Sequence, residues 1–516
     1  MKEVELKFLV EKEVGRTVWD RAIELGFINA EPPVRELESI YYDTAGNKLR
    51  KAGISLRLRR VAAKWMQTVK YDRELNAGLS RADEIEVEVP DKAIDLDAIK
   101  DKRARKRLEK CIGDAAIEPV CWTLVNRRAD ELMLEDGSIV ELALDIGLIS
   151  AGAKAADFCE VEIELVSGKS RSLYSLADKL FPDGGMQFSR YSKAQRGFML
   201  AEKGVIEPAP VPRRAKKVVL DKDKPVLIAL RDTLRECIDQ ISLNIPVVRT
   251  SVDPAGPHQL RIGLRRLRAL FVVYSKVLDR NQIRRLSADS RWLFAGAGEL
   301  RDIDSTISDH IRPLMVENAT ETGFEKLIDA LERHARYKRA SLRTLLSDIR
   351  TQGFLLDLSL MTETLEEDGP GEVKKAELLD QPLSQFAAHA LDKLWKKARK
   401  RGDDLSAMEI TERHELRKDL KKLRYTVEFF APIHDAGETK AFLRRLKDIQ
   451  TVLGDVVDVS SARRLFLDCG LLEDTDPDLQ RAIGWVMGSG KVKARAGWDR
   501  AEQLWSVLGE TKPFWH

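Results

Sequence analysis

The chain has 516 residues, and its 87 Lys and Arg stand against 84 Asp and Glu, so a net charge of +3 conceals two large opposing populations. With 43% hydrophobic residues, that balance suits globular domains of roughly 100–200 residues each and excludes collagenous or mucin-like chains. No segment approaches the roughly 20 uninterrupted apolar residues of a membrane span, the first residues hold no apolar signal core, and five cysteines never form a Cys-x-x-Cys pair. These features lead us to expect a cytoplasmic protein with no membrane partner, no disulfide framework and no zinc site.

The first two hundred residues alternate with period two, the pattern of half-buried strands. Val4, Leu6 and Phe8 oppose Glu3, Glu5 and Lys7, and Leu56 and Leu58 oppose Arg57 and Arg59. Ile85, Val87 and Val89 oppose Glu84, Glu86 and Glu88, and Glu160, Glu162 and Glu164 oppose Val161, Ile163 and Leu165. Helical pieces are expected near 14–26, 94–112 and 170–181, giving an antiparallel α+β domain over 1–203. One charged strand face is ordinarily solvated surface. Here the pattern recurs with both signs on separate strands. If the apolar faces pack outward against helices, the charged faces line a closed sheet, and buried charge of that kind requires a ligand. Basic residues suit a polyanion, and clustered carboxylates suit a hard divalent cation, Mg2+ or Mn2+. Together they point to a metal-dependent phosphate site performing phosphoryl or nucleotidyl transfer.

Prolines alternate at 208, 210 and 212, which marks 204–218 as an extended linker. Beyond it the period becomes helical, giving an all-α bundle over 219–510 with loops expected at 246–257, 366–372 and 402–406. This half contains an internal repeat. His258, Arg261, Arg265 and Arg268 match His414, Arg417, Lys421 and Arg424 at a spacing of 156 residues, with leucines kept between them. An acidic segment follows each copy, Asp302 and Asp304 in one and Asp455 and Asp458 in the other. On a helix each basic set falls within a sector of about 80°. Two such faces meeting near a pseudo-two-fold axis would form a positive groove that focuses polyanions. Nucleic acid carries less weight as the ligand, because neither a recognition-helix motif nor interleaved aromatics accompany the basic residues.

Glu3-x-Glu5-x-Lys7, Tyr41-Tyr-Asp43-Thr44, Leu56-Arg57-Leu-Arg59-Arg60 and Gln67-Thr-Val-Lys70 occur in that order, followed by Ala143-Leu-Asp145-Ile-Gly147, Glu160-Val-Glu162-Ile-Glu164 and Ser192-Lys193-Ala-Gln-Arg196-Gly. In order and spacing this set resembles the CYTH, or triphosphate tunnel metalloenzyme, superfamily. The resemblance implies an eight-stranded antiparallel tunnel in which Lys7, Arg57, Arg59, Lys70, Lys193 and one of Arg127 and Arg128 hold phosphates. It also implies that Glu3, Glu5, Glu162 and Glu164, with Asp145 beside them, hold metal or position the attacking water, and that Glu3, Glu5 and Lys7 are catalytic. The aromatic usual after the late-strand arginine is missing here, where Ala129-Asp130-Glu131 follows. The helical repeat resembles the CHAD domain, which implies binding of long-chain polyphosphate through His258, Arg261, Arg265, Arg268, His414, Arg417, Lys421 and Arg424. The combination is similar to bacterial CYTH-CHAD inorganic triphosphatases, with association with polyphosphate granules as a corollary. An adenylyl cyclase, a thiamine triphosphatase and a non-catalytic polyphosphate binder stay open as alternatives. Inorganic triphosphate is expected to be preferred over ATP, since no base or ring contact is identified. A fragment ending near Gly204 is expected to fold alone.

Overall fold

The period-two segments fall in strands, and the described residues form nine: β1 (Lys2–Val10), β2 (Arg35–Thr44), β3 (Ser55–Val61), β4 (Lys64–Asn76), β5 (Leu79–Val89), β6 (Ile117–Met133), β7 (Ile139–Ala151), β8 (Lys154–Ser167) and β9 (Met186–Phe188). The computed structural model describes residues 2–365, 373–405 and 408–516, apart from the side chains of 373–376, 410, 455–459 and 499. Hydrogen bonding runs in the order β5-β4-β3-β2-β6-β7-β8-β1, and a further β5–β1 pairing closes these eight antiparallel strands into a barrel. β9 extends the sheet beside β1 at Phe8–Val10. In this register Lys7 lies opposite Glu162, and Glu5 lies opposite Glu164.

The apolar faces point outward. Leu6, Phe8, Leu142, Val161 and Ile163 pack against Val18, Trp19, Leu173 and Leu176 from the helices Lys12–Glu24 and Arg171–Leu180. Leu56 and Val69 pack against Ala104 and Leu108 of the helix Lys102–Ile112. Each such side chain contributes about 1.5–3 kcal/mol by leaving water, which fixes the strand register and turns the charged faces into the barrel. The helix expected from residue 94 begins only at Lys102. The Asp101 carboxylate accepts from the Arg103 and Ala104 backbone N–H groups and sets that start.

The chain divides into two compact units, one of residues 1–209 with 347–364 and the other of 210–346 with 365–516. The helix Ile349–Thr364 thus interrupts the helical half in sequence and packs in the first unit, where Leu356 enters the core beside Leu173 and Leu176. The linker segment is anchored at two points. Glu207 pairs with Arg196 at 3.1 Å in the first unit, and Arg213 pairs with Glu236 at 2.7 Å in the second.

The second unit is helical, with long elements at Val226–Thr250, Ala255–Val273, Arg280–Ser305, Leu383–Arg401, Ile410–Phe430, Ala436–Asp468 and Pro477–Gly509. The loop expected at 246–257 is shorter than that. The first helix continues through Pro246, because buried Val247 and Val248 offset the roughly 3 kcal/mol that an interior proline costs. The loop expected at 366–372 lies outside the described residues, as do residues 406–407 beside the loop expected at 402–406. Among the described residues no helix is long and apolar enough to cross a membrane.

Candidate active site

β1 carries Glu3, Glu5 and Lys7 into the barrel, each less than a tenth exposed. They line a cavity of about 900 Å³ together with Arg57, Arg59 and Lys70 from β3 and β4, Arg127 from β6, Glu162 and Glu164 from β8, and Lys193. Lys193 opens the helix Lys193–Lys203, whose start is fixed by reciprocal bonds between Ser192 and Gln195.

The carboxylates separate into two groups. Arg127 donates to both oxygens of Asp145, at 2.7 Å each, and to Glu162 at 2.5 Å. Lys193 reaches Asp145 at 2.8 Å, Glu160 at 3.0 Å and Glu162 at 2.7 Å, and Lys7 reaches Glu162 at 2.8 Å. Burial pushes these carboxyls up, but the cations outweigh it. Lys193 and Arg127 hold Asp145 below the ordinary carboxylate value, and Lys193, Lys7 and Arg127 hold Glu162 well below it.

The second group is short of positive charge. Glu3, Glu5 and Glu164 each present an oxygen within 4.8 Å of the others. Lys70 bonds Glu3 at 2.5 Å and Lys7 bonds Glu5 at 2.8 Å, whereas Glu164 has no ion pair among the described residues. Burial, then the charges of Glu3 and Glu5, push the Glu164 carboxyl up to about 8. Burial raises Glu5 as well, against the pull of Lys7. The five carboxylates grouped as metal candidates therefore divide, with Glu3, Glu5 and Glu164 converging while Glu162 and Asp145 are committed to cations.

The cavity also holds cations short of negative charge. Arg59 bonds only the Ser39 hydroxyl among the described residues, at 3.2 Å, and burial followed by Arg57 and Arg127 brings it down to about 10. Arg73 donates to neutral partners, the Ser80 hydroxyl at 2.9 Å and the Gln195 amide oxygen at 2.7 Å, and burial lowers it too.

Three points correct the sequence reading. Arg127 points inward, whereas Arg128 faces away from the cavity and pairs with Glu31 at 3.4 Å, as strand alternation requires of neighbours. Arg73 and Arg190 line the cavity and were missed. Arg73 lies within a register shift between Tyr71 and Glu74, next to Asp72 at φ 50°, and such a bulge re-aims the side chains it contains. Tyr41, Tyr191 and Phe198 also line the cavity, so ring surface is present where none was expected.

In the second unit the two basic faces converge. Arg261, Arg265 and Arg268 lie over the Phe294 ring, at 4.7, 4.9 and 5.8 Å from its centroid. Burial, then Arg261, lowers Arg265 to about 10, with Arg417 of the other copy adding to it. Burial, then Arg265, Arg417, Arg424 and Arg261, brings Lys421 down to about 6. His258 falls to about 4 through burial and the charges of Arg301 and Arg265, and burial lowers His414 as well. The His258 imidazole is therefore kept neutral amid the cations, and His414 is shifted in the same direction. The repeat extends to its neighbours. A Cβ on Gly298 would lie 3.6 Å from the Arg261 guanidinium, and one on Gly454, 156 residues later, would lie 3.3 Å from that of Arg417. Asp302 pairs with Arg261 at 2.8 Å, whereas the side chains of Asp455 and Asp458 lie outside the described residues.

A family model of the CYTH domain matches residues 1–198, and one of the CHAD domain matches residues 232–467. The chain joins a CYTH domain to a CHAD domain. An inorganic triphosphatase of Haemophilus influenzae is 27% identical over 208 residues, which cover 39% of this chain and 56% of that relative, so the match spans just over half of its length. An uncharacterised protein of Mycobacterium tuberculosis is 24% identical over 476 residues, covering 86% of this chain and 84% of its own length. The crystal structure of the CHAD domain from the plant Ricinus communis matches with a TM-score of 0.50 at 24% identity, covering 58% of this chain and 98% of that one, which shows the shared helical fold.

Proposed function

We propose that the CYTH tunnel hydrolyses inorganic triphosphate to diphosphate and phosphate with Mg2+ or Mn2+, and that the CHAD domain binds long-chain polyphosphate. One observation carries the reading. A single cavity holds three converging carboxylates that repel one another and also Arg59 and Arg73, which have no carboxylate partner among the described residues. The first set favours a cation and the second an anion, as a metal-bound polyphosphate would supply.

The residues present fit the metal. Glu3, Glu5 and Glu164 offer the hard oxygen donors such a cation takes, and the raised Glu164 carboxyl marks where positive charge is wanting. Bound there, the cation supplies charge neutralisation at the phosphate oxygens. The remaining work falls to the chain itself. Lys7, Arg57, Arg59, Lys70, Arg127 and Lys193 hold phosphate oxygens, with Arg73 added to them. Glu3 and Glu5 orient the attacking water, whose oxygen bonds the terminal phosphorus as the bond to the diphosphate oxygen breaks. Charge spreads over the phosphoryl oxygens in that transition state, and preformed cations stabilise it without reorganising.

In the CHAD domain the carrying observation is the convergence of basic side chains from both repeats. Burial and the Arg261 charge lower Arg265, with Arg417 of the second copy adding to them, and burial followed by Arg265 of the first copy lowers Lys421. An anion lying between them would relieve that crowding. Affinity of that kind would bring the chain to polyphosphate granules in the cytoplasm. The test is phosphate release from tripolyphosphate, ATP and thiamine triphosphate, with Mg2+ and with a chelator. Release from tripolyphosphate above the others, abolished by the chelator, is expected. Conversion of ATP to a cyclic nucleotide would move the assignment to a cyclase.

A further inference from the structure

We propose that Glu363, on a helix inserted between the two basic repeats, is a positioning residue for the carboxylates of β1, because it clamps the seam at which the barrel closes. The inference rests on the metal-site reading for its consequence, but its geometry stands apart from that reading.

Glu363 belongs to the helix Ile349–Thr364, and its side chain is 2% exposed. One carboxylate oxygen accepts from the Asn76 amide at 2.7 Å, and the other pairs with the Arg81 guanidinium. Asn76 ends β4 and Arg81 lies early in β5, so the two oxygens bridge both arms of one hairpin. Its turn, Ala77-Gly78, has φ of 42° and 92°. A two-residue turn of that hand needs left-handed backbone at both positions, which an alanine adopts unwillingly. Gly78 suits its position and Ala77 does not, so support from outside adds to what the turn supplies.

What this hairpin touches gives the clamp its meaning. The Gly78 carbonyl accepts from the Lys7 backbone N–H at 3.1 Å, and a Cβ on Gly78 would lie 2.3 Å from the Phe188 ring. Immediately beyond, β5 pairs with β1, setting Ser80 opposite Glu5 and Ala82 opposite Glu3. The strand that carries Glu3, Glu5 and Lys7 is thus registered on the segment that Glu363 grips. The helix is itself anchored. Leu356 lies in the core, the Tyr174 and Ser359 hydroxyls bond at 2.8 Å, and the Gln352 amide oxygen accepts from the Met186 backbone N–H at 3.2 Å. Among the described residues, loss of the Glu363 carboxylate leaves the Asn76 amide without its partner and Arg81 with the Ser170 hydroxyl alone, at 3.4 Å. A buried polar group stripped of its partner weakens the segment that carries it.

The test compares the full-length wild type with Glu363→Ala and Glu363→Gln by amide hydrogen exchange, without metal or substrate. The seam peptides, 2–10 and 76–83, should exchange about tenfold faster in Glu363→Ala and by a smaller factor in Glu363→Gln, with β3 and β6 unchanged, as a local opening requires. Mn2+ affinity of the resting protein should fall several-fold in the same order, and half-saturating Mg2+ should rise while kcat at saturating Mg2+ recovers. Unchanged seam exchange would overturn the proposal, and so would acceleration spread evenly over the first unit, which marks an ordinary core contact. If Glu363→Ala does not fold, Glu363→Gln decides by the same criteria. A wild type that binds no Mn2+ and cleaves no triphosphate would sink the functional reading, while the exchange pattern would still decide the clamp.

Discussion

Raising the pH from 7 to 8 should weaken polyphosphate binding by the CHAD domain about tenfold, and Lys421 is the reason. Burial and four arginines from both repeats hold its ammonium at about 6. Above pH 7 the free protein then carries Lys421 largely unprotonated. A polyanion between the basic faces favours the ammonium and returns its pKa toward the ordinary lysine value, so the complex binds more protons than the free protein. Affinity therefore rises as pH falls, levels off below about 6, and changes by about 1.4 kcal/mol for each unit above it. The assay is titration calorimetry of the full-length protein at pH 7 and 8, each in two buffers of different ionisation enthalpy. Uptake of about one proton per bound chain segment at pH 8 is expected. Lys421→Arg, which stays charged throughout, should flatten the dependence. Equal affinities at the two pH values with no proton uptake would refute the convergence of charge on this lysine.

Replacing Arg261, Arg265, Arg417 and Lys421 together by alanine should weaken polyphosphate binding and flatten its salt dependence, because fewer counterion-displacing contacts remain; identical salt slopes would return the basic faces to solvated surface. Arg127→Leu should lower stability in urea by about 3–5 kcal/mol, since it removes the bidentate partner of Asp145 and one partner of Glu162. Arg128→Ala should cost less than about 1 kcal/mol, as its pair with Glu31 is a partly exposed one, and equal losses for the two would contradict the inward and outward assignment. A fragment of residues 1–209 should melt well below the tunnel unit of the full chain, because it lacks Leu356 and Glu363; equal melting would show that the helix Ile349–Thr364 is dispensable.

The barrel was legible because period-two alternation and the sign of the charge coincide along each strand. Where the alternation breaks, legibility ends. Arg73 was hidden by a bulge, since counting on from Lys70 through Asp72 puts it on the outer face. The division of the carboxylates was hidden by register. Glu162 and Glu164 look alike in sequence, but one lies opposite Lys7 and the other opposite Glu5, which makes one an ion-pair member and the other the group with the raised carboxyl. The helix Ile349–Thr364 could not be assigned to the tunnel from sequence, since the partners of Glu363 lie 287 and 282 residues away. In the helical half the basic repeat was plain, but the glycines that let Arg261 and Arg417 approach the next helix went unread at the same 156-residue offset.

The most direct test of the tunnel as a metal-dependent triphosphatase is the turnover of tripolyphosphate by wild type and Glu5→Gln at saturating Mg2+ and substrate. The substitution keeps the side-chain volume and removes one of the three converging carboxyl groups. A loss of about 10²-fold or more is predicted, the scale expected for a preorganised electrostatic group, with folding intact by circular dichroism. Turnover equal to wild type would contradict the role of β1 in the chemistry, and with it the reading of this cavity as the site of hydrolysis.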